Sequence, residues 1–295
     1  MKSRLVSVTG ATGFLGPHIV EAFRRQGWHV RAIVRPGGAR PAPPGAEVRE
    51  APLVARPLAA ALAGSDAVVH AAGLARGRDA LTLDRVNVEG TQAVVEAANE
   101  CGARLVHVSS QAAIGTGTIG RPAREDDVPR PVTAYGRSKL AGEAVVGDRA
   151  TVPWVIVRPA AVYGPGDRQF LPLAKLARRG LFPMVGPPSF ALTIVYVEDV
   201  ARAIALVAEH GAADGQSLFI GHPVPETPES VLRAMAVQIG RAYRPRRVAT
   251  GWLRALARFG DVGWRLGYEP MLDSDRLSEL TAEGFVCAID RARDA

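Results

Sequence analysis

The fold is decided by the stretch Leu5-Val6-Ser7-Val8-Thr9-Gly10-Ala11-Thr12-Gly13-Phe14-Leu15-Gly16. Its first residues predict a short buried strand, and the apolar residues from Phe14 onward recur at helical spacing. A helix must therefore begin inside the glycine-rich turn. Such a helix start presents free backbone N–H groups and the positive end of the helix dipole, both of which favour a phosphate group.

Each of the three glycines has a separate predicted role. Gly10 permits the tight bend, Gly13 lets a phosphate approach the backbone, and Gly16 allows close packing of helix on strand. The Gly-x-x-Gly-x-x-Gly spacing differs by one residue from the Gly-x-Gly-x-x-Gly of dinucleotide-binding turns. On these residues alone, a strand–helix turn that binds no ligand stays open as an alternative.

The composition is that of a globular protein. Of the 295 residues, 47% are hydrophobic and 22% are charged, which suits one large domain or a domain with a small lobe. Two distant cysteines, Cys101 and Cys287, indicate neither a disulfide framework nor a metal site. The first residues lead directly into a strand, and no apolar run reaches the length of a membrane span. We expect a soluble cytoplasmic protein.

The positive charge comes mainly from arginine. The formal net charge is +7, and the arginines occur throughout the chain. A spread charge argues against a nucleic-acid-binding stripe, so we expect no nucleic-acid partner. A compositional bias toward Ala, Arg, Gly and Pro explains the charge more simply than a role in binding anionic ligands.

A second strand, residues 28–34, ends beside a candidate cofactor-selecting residue. In a dinucleotide-binding fold, an acidic residue at this tip binds the ribose hydroxyls, whereas an arginine accommodates a 2′-phosphate. Val34 occupies the acidic position and Arg35 follows it, with Arg31 and Arg40 nearby. The pattern favours NADP, with NAD possible, although Arg35 could also be a solvated loop residue.

Strand and helix patterns then alternate, which predicts an α/β fold with a doubly wound parallel sheet. The strand at 67–73 ends in the small residues Ala71, Ala72 and Gly73, against which an adenine ribose could lie. Ligands of such sheets bind beyond the carboxyl ends of the strands. The further predicted elements are a strand at 47–49, helices at 57–63 and 85–98, and a strand at 104–108.

Three residues suggest acid–base chemistry at that edge. Ser110 follows the strand at 104–108, and Tyr135 and Lys139 lie one turn apart on one face of a predicted helix. A tyrosine and a lysine four residues apart are common by chance. Their combination with a strand-end serine and a glycine-rich turn is much less so.

Together, the motifs resemble the extended short-chain dehydrogenase/reductase family, or NAD-dependent epimerase/dehydratase family, especially its hydroxysteroid dehydrogenase and flavonol reductase-like members. The likeness rests on the glycine turn, Ser110, Tyr135-x-x-x-Lys139 and the run from 158 to 166. Segments 87–91 and 195–201 are similar to other family signatures, so the likeness spans nearly the whole chain. It implies a Rossmann fold, a nicotinamide cofactor and an enzyme.

The resemblance implies a role for each site residue. Tyr135 is the acid or base, Lys139 stabilises its phenolate and binds the nicotinamide ribose, and Ser110 holds the substrate oxygen. Asn87 is a lesser candidate, equally explained by bonds to nearby backbone. The residues expected to bind the cofactor are Gly10, Thr12, Gly13, Phe14, Leu15, Gly16, Arg35, Leu53, Ala71, Ala72, Gly73, Tyr135, Lys139 and Pro159.

The sequence also departs from the family pattern. The usual aspartate for adenine is absent after the third strand, where Ala51, Pro52 and Leu53 stand, so adenine contact should be apolar or through backbone. We assign residues 1–163 and 191–221 to the dinucleotide-binding domain and residues 164–190 and 222–295 to a smaller substrate lobe. The resemblance also suggests a homodimer through the helix that carries Tyr135.

The substrate class is inferred from two missing polar residues. Family members that act on nucleotide sugars carry an asparagine and an arginine where this chain has Ala161 and Leu192. Each lost charge-assisted bond to a diphosphate would cost roughly 1.5–3 kcal/mol. We therefore expect a hydride transfer between nicotinamide and a hydrophobic ketone, aldehyde or secondary alcohol. The apolar residues expected to favour it are Phe170, Leu171, Leu181, Phe182, Met184 and Phe190.

Other functions stay open at this point. A nucleotide-sugar epimerase or dehydratase is the main alternative, and a dinucleotide-binding sensor without catalysis is another. The segment 252–266 combines apolar residues with arginines. It could lie on a membrane surface, but a lid helix packed on the site is the interpretation we favour.

Overall fold

The computed structural model describes residues 4–295 and contains a seven-stranded parallel sheet in the order β10-β6-β5-β4-β1-β2-β3. The predicted doubly wound fold is confirmed. Residues 4–295 contain the strands β1 (Leu5–Thr9), β2 (His29–Val34), β3 (Glu47–Glu50), β4 (Ala67–His70), β5 (Arg104–Val108), β6 (Trp154–Pro159), β7 (Ala161–Tyr163), β8 (Phe182–Met184), β9 (Ile194–Tyr196), β10 (Gln216–Ile220) and β11 (Pro245–Arg247).

The helices cover both faces of this sheet. Helices α1 and α7 pack on one face, and α2, α4 and α5 pack on the other. No helix in the described residues is both long and apolar enough to cross a bilayer. The helices are α1 (Gly16–Arg25), α2 (Ala55–Leu62), α3 (Ala80–Asp84), α4 (Gly90–Cys101), α5 (Ala134–Arg149), α6 (Leu171–Arg178), α7 (Val197–Glu209), α8 (Pro228–Gln238), α9 (Thr250–Arg265), α10 (Ser274–Leu280) and α11 (Asp290–Asp294).

The strand register brings the carboxyl ends of the central strands to one edge. Thr9 of β1 pairs with Ile33 of β2 and with His70 of β4, and His70 pairs with His107 of β5. The chain order reverses between β1 and β4, which is where ligands bind in open α/β sheets. The segments that follow β1, β2, β4 and β5 therefore meet at the edge where the sequence predicts a site.

A smaller lobe is built largely from the second half of the chain. One apolar cluster joins α6, α8 and β8 around Phe182 and Leu232, and a second joins α9 and α10 around Ala257. Strands β8 and β11 form a two-stranded sheet in it, while β7 and β9 form another. The last residues return to the main sheet, since Cys287 is buried in its core. Part of the segment after residue 222 therefore packs in the core of the main sheet and not in the lobe.

Arg31 does not lie at the cofactor edge, although the sequence places it near Arg35 among the residues that favour NADP. Its guanidinium donates to the carbonyl oxygens of Ala61 and Ala63, at 3.0 and 2.9 Å, and pairs with Glu47. It is largely buried within the sheet and α2. The position of each residue explains the difference, because Arg31 lies inside β2 whereas Arg35 follows the carboxyl end of that strand.

Asn87 lies in a π-helical turn, Arg85–Glu89, between α3 and α4. Its side-chain amide accepts from Leu74 N at 2.8 Å and donates to Leu74 O at 2.9 Å. It also donates to Ser138 Oγ, at 2.9 Å. Asn87 thus ties the loop after β4 to α5, which favours the bonding role over a catalytic one.

A buried ion pair fixes α5 against β6. Arg158 donates to both carboxylate oxygens of Glu143, at 3.0 and 2.8 Å, and to the carbonyl oxygen of Glu125 at 3.1 Å. Only 8% and 5% of the two paired side chains are exposed. Glu143 lies one turn beyond Lys139 on α5, so this pair positions the helix that carries the site.

Candidate functional site

The glycine turn has the tight geometry that the sequence predicts. Gly10 has φ = +74°, and a Cβ there would lie 2.5 Å from Ala71 C. A Cβ at Gly16 would lie 2.3 Å from Ala11 O, so both glycines are required by close backbone contacts. Among the described residues, no side chain caps the start of α1, and its first turn has no acidic residue. These features suit the pyrophosphate of a dinucleotide.

The loop after β7 approaches the same turn. His18 Nε2 lies 3.1 Å from Pro165 O, and Phe14 is beside Gly166. Arg40 donates to Thr12 O at 3.4 Å, so it lies nearer to the turn than its sequence position alone indicates. Leu15 and Gly13 are partly buried between these segments. The segment that follows β7 therefore borders the dinucleotide edge.

The residues expected around the adenosine and nicotinamide occupy the adjoining strand ends. Arg35 is exposed directly after β2, whereas Ala71 and Ala72 are half-buried after β4. Pro159 is the buried last residue of β6. Gly73 is exposed, and Leu53 packs against the apolar core under α2 and α4. Their roles in binding a cofactor stay predictions.

Ser110, Tyr135 and Lys139 converge at the carboxyl end of β5. Ser110 caps a short 3₁₀ turn, where its hydroxyl accepts from Ala112 N at 3.2 Å. Lys139 is buried, and its Nζ donates to Val108 O at 2.7 Å. The ammonium keeps two N–H groups beyond this bond, which suits contact with a ribose hydroxyl.

The protonation states of Tyr135 and Lys139 suit a site in which Tyr135 donates a proton. Burial raises the pKa of Tyr135 to about 12, while the Ser110 hydroxyl lowers this pKa and the charge of Glu279 raises it further. Burial lowers the pKa of Lys139 to about 8, and the Glu143 carboxylate opposes that shift. At neutral pH, Tyr135 therefore holds its proton and Lys139 is mostly charged.

His70 and His107 lie beneath this group in the sheet but are not suited to proton transfer. His70 is bonded to Thr9 Oγ1 at 2.7 Å and to Thr91 Oγ1 at 3.1 Å. Burial and the nearby Lys139 ammonium lower its pKa to about 3. These contacts give His70 a structural role at the end of β4.

Tyr135 opens onto a cavity of about 270 Å³ between the two parts of the chain. Several charged side chains belong to its lining. Asp273 is fully engaged there, because it accepts from Trp264 Nε1 at 3.0 Å, from Arg276 N at 2.8 Å and from Arg76. The six apolar residues expected to line the substrate site do not line this cavity. Phe182, for example, lies in the core of the lobe.

Glu279 is the residue that the sequence did not single out. It lines the cavity with Tyr135, and its carboxyl group forms no hydrogen bond or ion pair with the described residues. Burial raises its pKa to about 7, with Arg276 lowering it and Asp275 raising it. A carboxylate held beside the acid–base tyrosine can accept a hydrogen bond from a hydroxyl or amide N–H of a bound molecule.

Replacing Glu279 by glutamine should stabilise the protein more at pH 8 than at pH 5. The folded-state pKa near 7 exceeds the ordinary value of 4.5, so ionisation is harder in the folded state. Stability is therefore lost as the pH rises from about 4.5 to about 7, and a neutral side chain removes that loss. We expect a gain of about 1–3 kcal/mol in the free energy of unfolding at pH 8. Urea unfolding at both pH values measures it, and equal gains would contradict the shift.

The family model described as NAD dependent epimerase/dehydratase family matches residues 6–221. "Ceramide reductase" of Caulobacter vibrioides is 38% identical over 205 residues, which cover 68% of this chain and 59% of that relative. The chain therefore spans less than two thirds of that protein. The "4-hydroxy-2-methyl-3-oxo-4-farnesyl-3,4-dihydroquinoline-1-oxide ketoreductase" of Stigmatella aurantiaca is 31% identical over 88% of this chain and 80% of its own length.

A solved structure shares the same architecture. It is described as "MoeE5 in complex with UDP-glucuronic acid and NAD" and superposes with a TM-score of 0.75 at 26% identity. The superposition covers 98% of this chain and 91% of that one. Relatives named as reductases and the site geometry together support NAD(P)-dependent oxidoreduction. The chain belongs to the NAD-dependent epimerase/dehydratase family, as its motifs indicate.

Proposed function

We propose that this protein is an NADP-linked carbonyl reductase or alcohol dehydrogenase. The observation that carries the proposal is the placement of Tyr135, which holds its proton beside Ser110 and faces a cavity large enough for a reacting group. A bound nicotinamide would supply or accept the hydride at the substrate carbon. In the reducing direction, Tyr135 gives its proton to the carbonyl oxygen, and solvent restores that proton afterwards.

Lys139 and Ser110 support this step. The positive charge of Lys139 favours the phenolate that Tyr135 becomes after it gives up its proton. Ser110 is held by its bond to Ala112 N, so its hydroxyl can donate to a substrate oxygen from a fixed position. Two polar groups then fix the oxygen of the substrate next to the reacting carbon.

The proposed substrate has an apolar body and a polar reacting end. Ala161 and Leu192 lie near one another, since Ala161 N donates to Thr193 O at 3.2 Å, and neither can bind a diphosphate through its side chain. The names of two relatives refer to ceramide and to a farnesyl-bearing compound. The polar lining beside Tyr135 and the free carboxylate of Glu279 suit a hydroxyl or amide close to the carbonyl.

The second candidate function is that of a nucleotide-sugar epimerase or dehydratase. It is supported by the structural similarity to MoeE5, whose structure contains UDP-glucuronic acid. Titrating UDP-glucuronic acid and a long-chain hydroxy ketone into the cofactor-loaded protein separates the two. We expect binding of the ketone and none of the sugar nucleotide at micromolar concentration. Micromolar binding of the sugar nucleotide would overturn the assignment of substrate class.

Replacing Arg35 by alanine should reduce the preference for NADP over NAD. Arg35 is exposed after β2 and can bind a 2′-phosphate, and Val34 offers no carboxylate to repel it. Loss of one charge-assisted bond weakens NADP binding by about tenfold to a hundredfold. Calorimetric titration of both dinucleotides measures this preference. Arg149→Ala, an exposed arginine at the end of α5, serves as the control, and tighter NAD binding by the unaltered protein would refute the NADP assignment.

The same proposal includes a homodimer through α5 and a cytoplasmic protein with no nucleic-acid partner. Helix α5 presents Arg137, Ala141 and Ala144 on its exposed side. Two small alanines one turn apart allow close approach of a second helix. A dimer formed there would leave the cavity beside Tyr135 open, because that residue lies on the opposite side of the helix.

A further inference from the structure

Helix α9 carries apolar side chains on two opposite faces. Ala257 and Trp264 face the lobe, where Ala257 is buried and Trp264 lines the cavity. The outward face would ordinarily be polar. Instead it presents Trp252, Leu256, Phe259, Val262 and Leu266, of which Trp252 and Leu266 are about four fifths exposed, at 79% and 80%. The favoured interpretation as a lid therefore accounts for only one face of the helix.

The exposed row continues past the end of α9. Tyr268 is 70% exposed and Met271 is 63% exposed. Trp252, Phe259 and Leu266 follow one another at spacings of seven residues, and Leu256 and Val262 lie between them at spacings of three and four. All five therefore share one side of the helix. An apolar strip of this kind on a folded protein marks an interaction surface.

The segment that contains α9 has a high net positive charge. Residues 241–265 contain seven arginines and a single acidic residue, a net charge of +6 compared with +7 for the whole chain. Arg254, Arg258 and Arg265 share one flank of α9, because they are four and seven residues apart. In the part of the chain that the structure describes, none of these seven arginines forms an ion pair. The basic flank is thus available to an anionic partner.

The arginines and the apolar strip of α9 together indicate which kind of partner binds this surface. A symmetric dimer through this face would bring the same arginines of two copies together, and like charges repel. Nucleic acid would bind the arginines but leave the apolar strip in water. An anionic bilayer satisfies both features, since its phosphates bind the arginines and its acyl chains accept the aromatic and leucine side chains.

We propose that α9 binds the surface of an anionic lipid bilayer, with Trp252, Phe259 and Leu266 inserted at the boundary of the acyl chains. The arginines on its flank then lie at the level of the lipid phosphates. Asp261 and Trp264 of the same helix line the cavity that contains Tyr135, so the bound helix places that cavity next to the bilayer. Delivery of a lipid-like substrate from the bilayer rests on the proposed function, whereas binding to the bilayer does not.

Sedimentation of the full chain with lipid vesicles tests the proposal. We expect binding to vesicles that contain phosphatidylglycerol, little binding to pure phosphatidylcholine, and weaker binding as salt is added. Trp252→Ser and Phe259→Ser should each lower the partition coefficient about tenfold or more. Leu206→Ser is the matched control, because Leu206 is 50% exposed and lies on α7, which packs on the main sheet and not in the lobe. It should bind as the unaltered protein does.

The basic flank has its own test. Arg254→Gln combined with Arg258→Gln should reduce binding to the anionic vesicles by roughly thirtyfold, at about 1 kcal/mol for each arginine. The matched control is Arg56→Gln combined with Arg149→Gln, which removes the same charge from exposed positions outside α9. Near-equal losses in the two double variants would show that only net charge matters and would contradict the proposal.

Other outcomes would also overturn it. These are no sedimentation of the unaltered protein with anionic vesicles, equal losses in Leu206→Ser and Phe259→Ser, or a dimer in solution that Phe259→Ser dissociates. Preferential binding of duplex DNA over anionic vesicles would assign the surface to nucleic acid instead. Circular dichroism of each variant confirms folding. No substrate is present in these measurements, so a failure of the proposed enzymatic function would not affect them.

Discussion

Replacing Tyr135 by phenylalanine is expected to lower turnover of a carbonyl substrate by about a hundredfold to ten-thousandfold. The change keeps the ring, which is partly buried at the start of α5, and removes the proton that neutralises the developing alkoxide. Hydride transfer without that proton would leave a charged oxygen next to Ser110 alone. Steady-state rates with a reduced nicotinamide measure the effect, and calorimetry should show unchanged dinucleotide binding.

Tyr243→Phe is a matched control for this prediction. Tyr243 lies in the lobe, where its hydroxyl is 3.7 Å from Met184 Sδ. It packs against Phe182, away from the cavity. Turnover should stay near that of the unaltered protein. A Tyr135→Phe variant that retained full turnover on a good substrate would refute the acid–base role and leave dinucleotide binding without catalysis as the better account.

Replacing Glu143 by alanine should lower the free energy of unfolding by about 3–5 kcal/mol, because it leaves the buried Arg158 without its partner. Both oxygens of Glu143 accept from Arg158, and both side chains are more than nine-tenths buried. Chemical denaturation measures the loss. Arg233→Ala is the matched control, since its pair with Glu229 is exposed and such pairs contribute at most about 0.5 kcal/mol.

The double variant Glu143→Leu with Arg158→Met separates two explanations. If the loss comes from an unpaired buried charge, removing both charges should recover most of the stability. If it comes from packing of α5 on β6, the double variant should be as unstable as the single one. The Glu143 variant should also lower the pKa of Lys139 further, because the Glu143 carboxylate now opposes the effect of burial on that group.

The central part of the site could be predicted from sequence because its geometry is set by local spacing. The distance between Gly10 and Gly16 fixes the turn, and the spacing of four residues from Tyr135 to Lys139 places both on one face of a helix. The strand ends that carry Arg35, Ala71 and Ser110 meet because β5, β4, β1 and β2 are neighbours in one parallel sheet. Short-range patterns of this kind do not depend on the lobe.

The rest depended on contacts between distant segments. Glu279 reaches Tyr135 across 144 positions of sequence, and Arg76 reaches Asp273 across 197. No short sequence motif predicts contacts between residues so far apart in the chain. The apolar residues of 170–190 were predicted to line the substrate site, and this prediction was wrong for the same reason. Phe182 packs in the core of the lobe, and charged residues line the cavity beside Tyr135. Sequence alone does not show which apolar residues a small lobe needs for itself.

Helix α9 shows a related limit. Its sequence has apolar residues all round, and the periodicity does not reveal that Leu253, Ala257 and Trp264 pack within the chain while Trp252, Phe259 and Leu266 stay exposed. The exposed row became visible only with the fold. Arg31 is the converse case, where a residue close in sequence to the cofactor edge is used to hold the sheet to α2.

The most direct test of net hydride transfer uses a nicotinamide cofactor that carries deuterium at its transferable position. The full-length protein would be incubated with this reduced cofactor and a hydrophobic hydroxy ketone, and the product would be analysed by mass spectrometry. We predict one deuterium at the carbinol carbon for each cofactor oxidised, with Tyr135→Phe lowering the rate of labelling. Turnover that leaves the cofactor reduced and the product unlabelled would contradict the account and favour an epimerase or dehydratase.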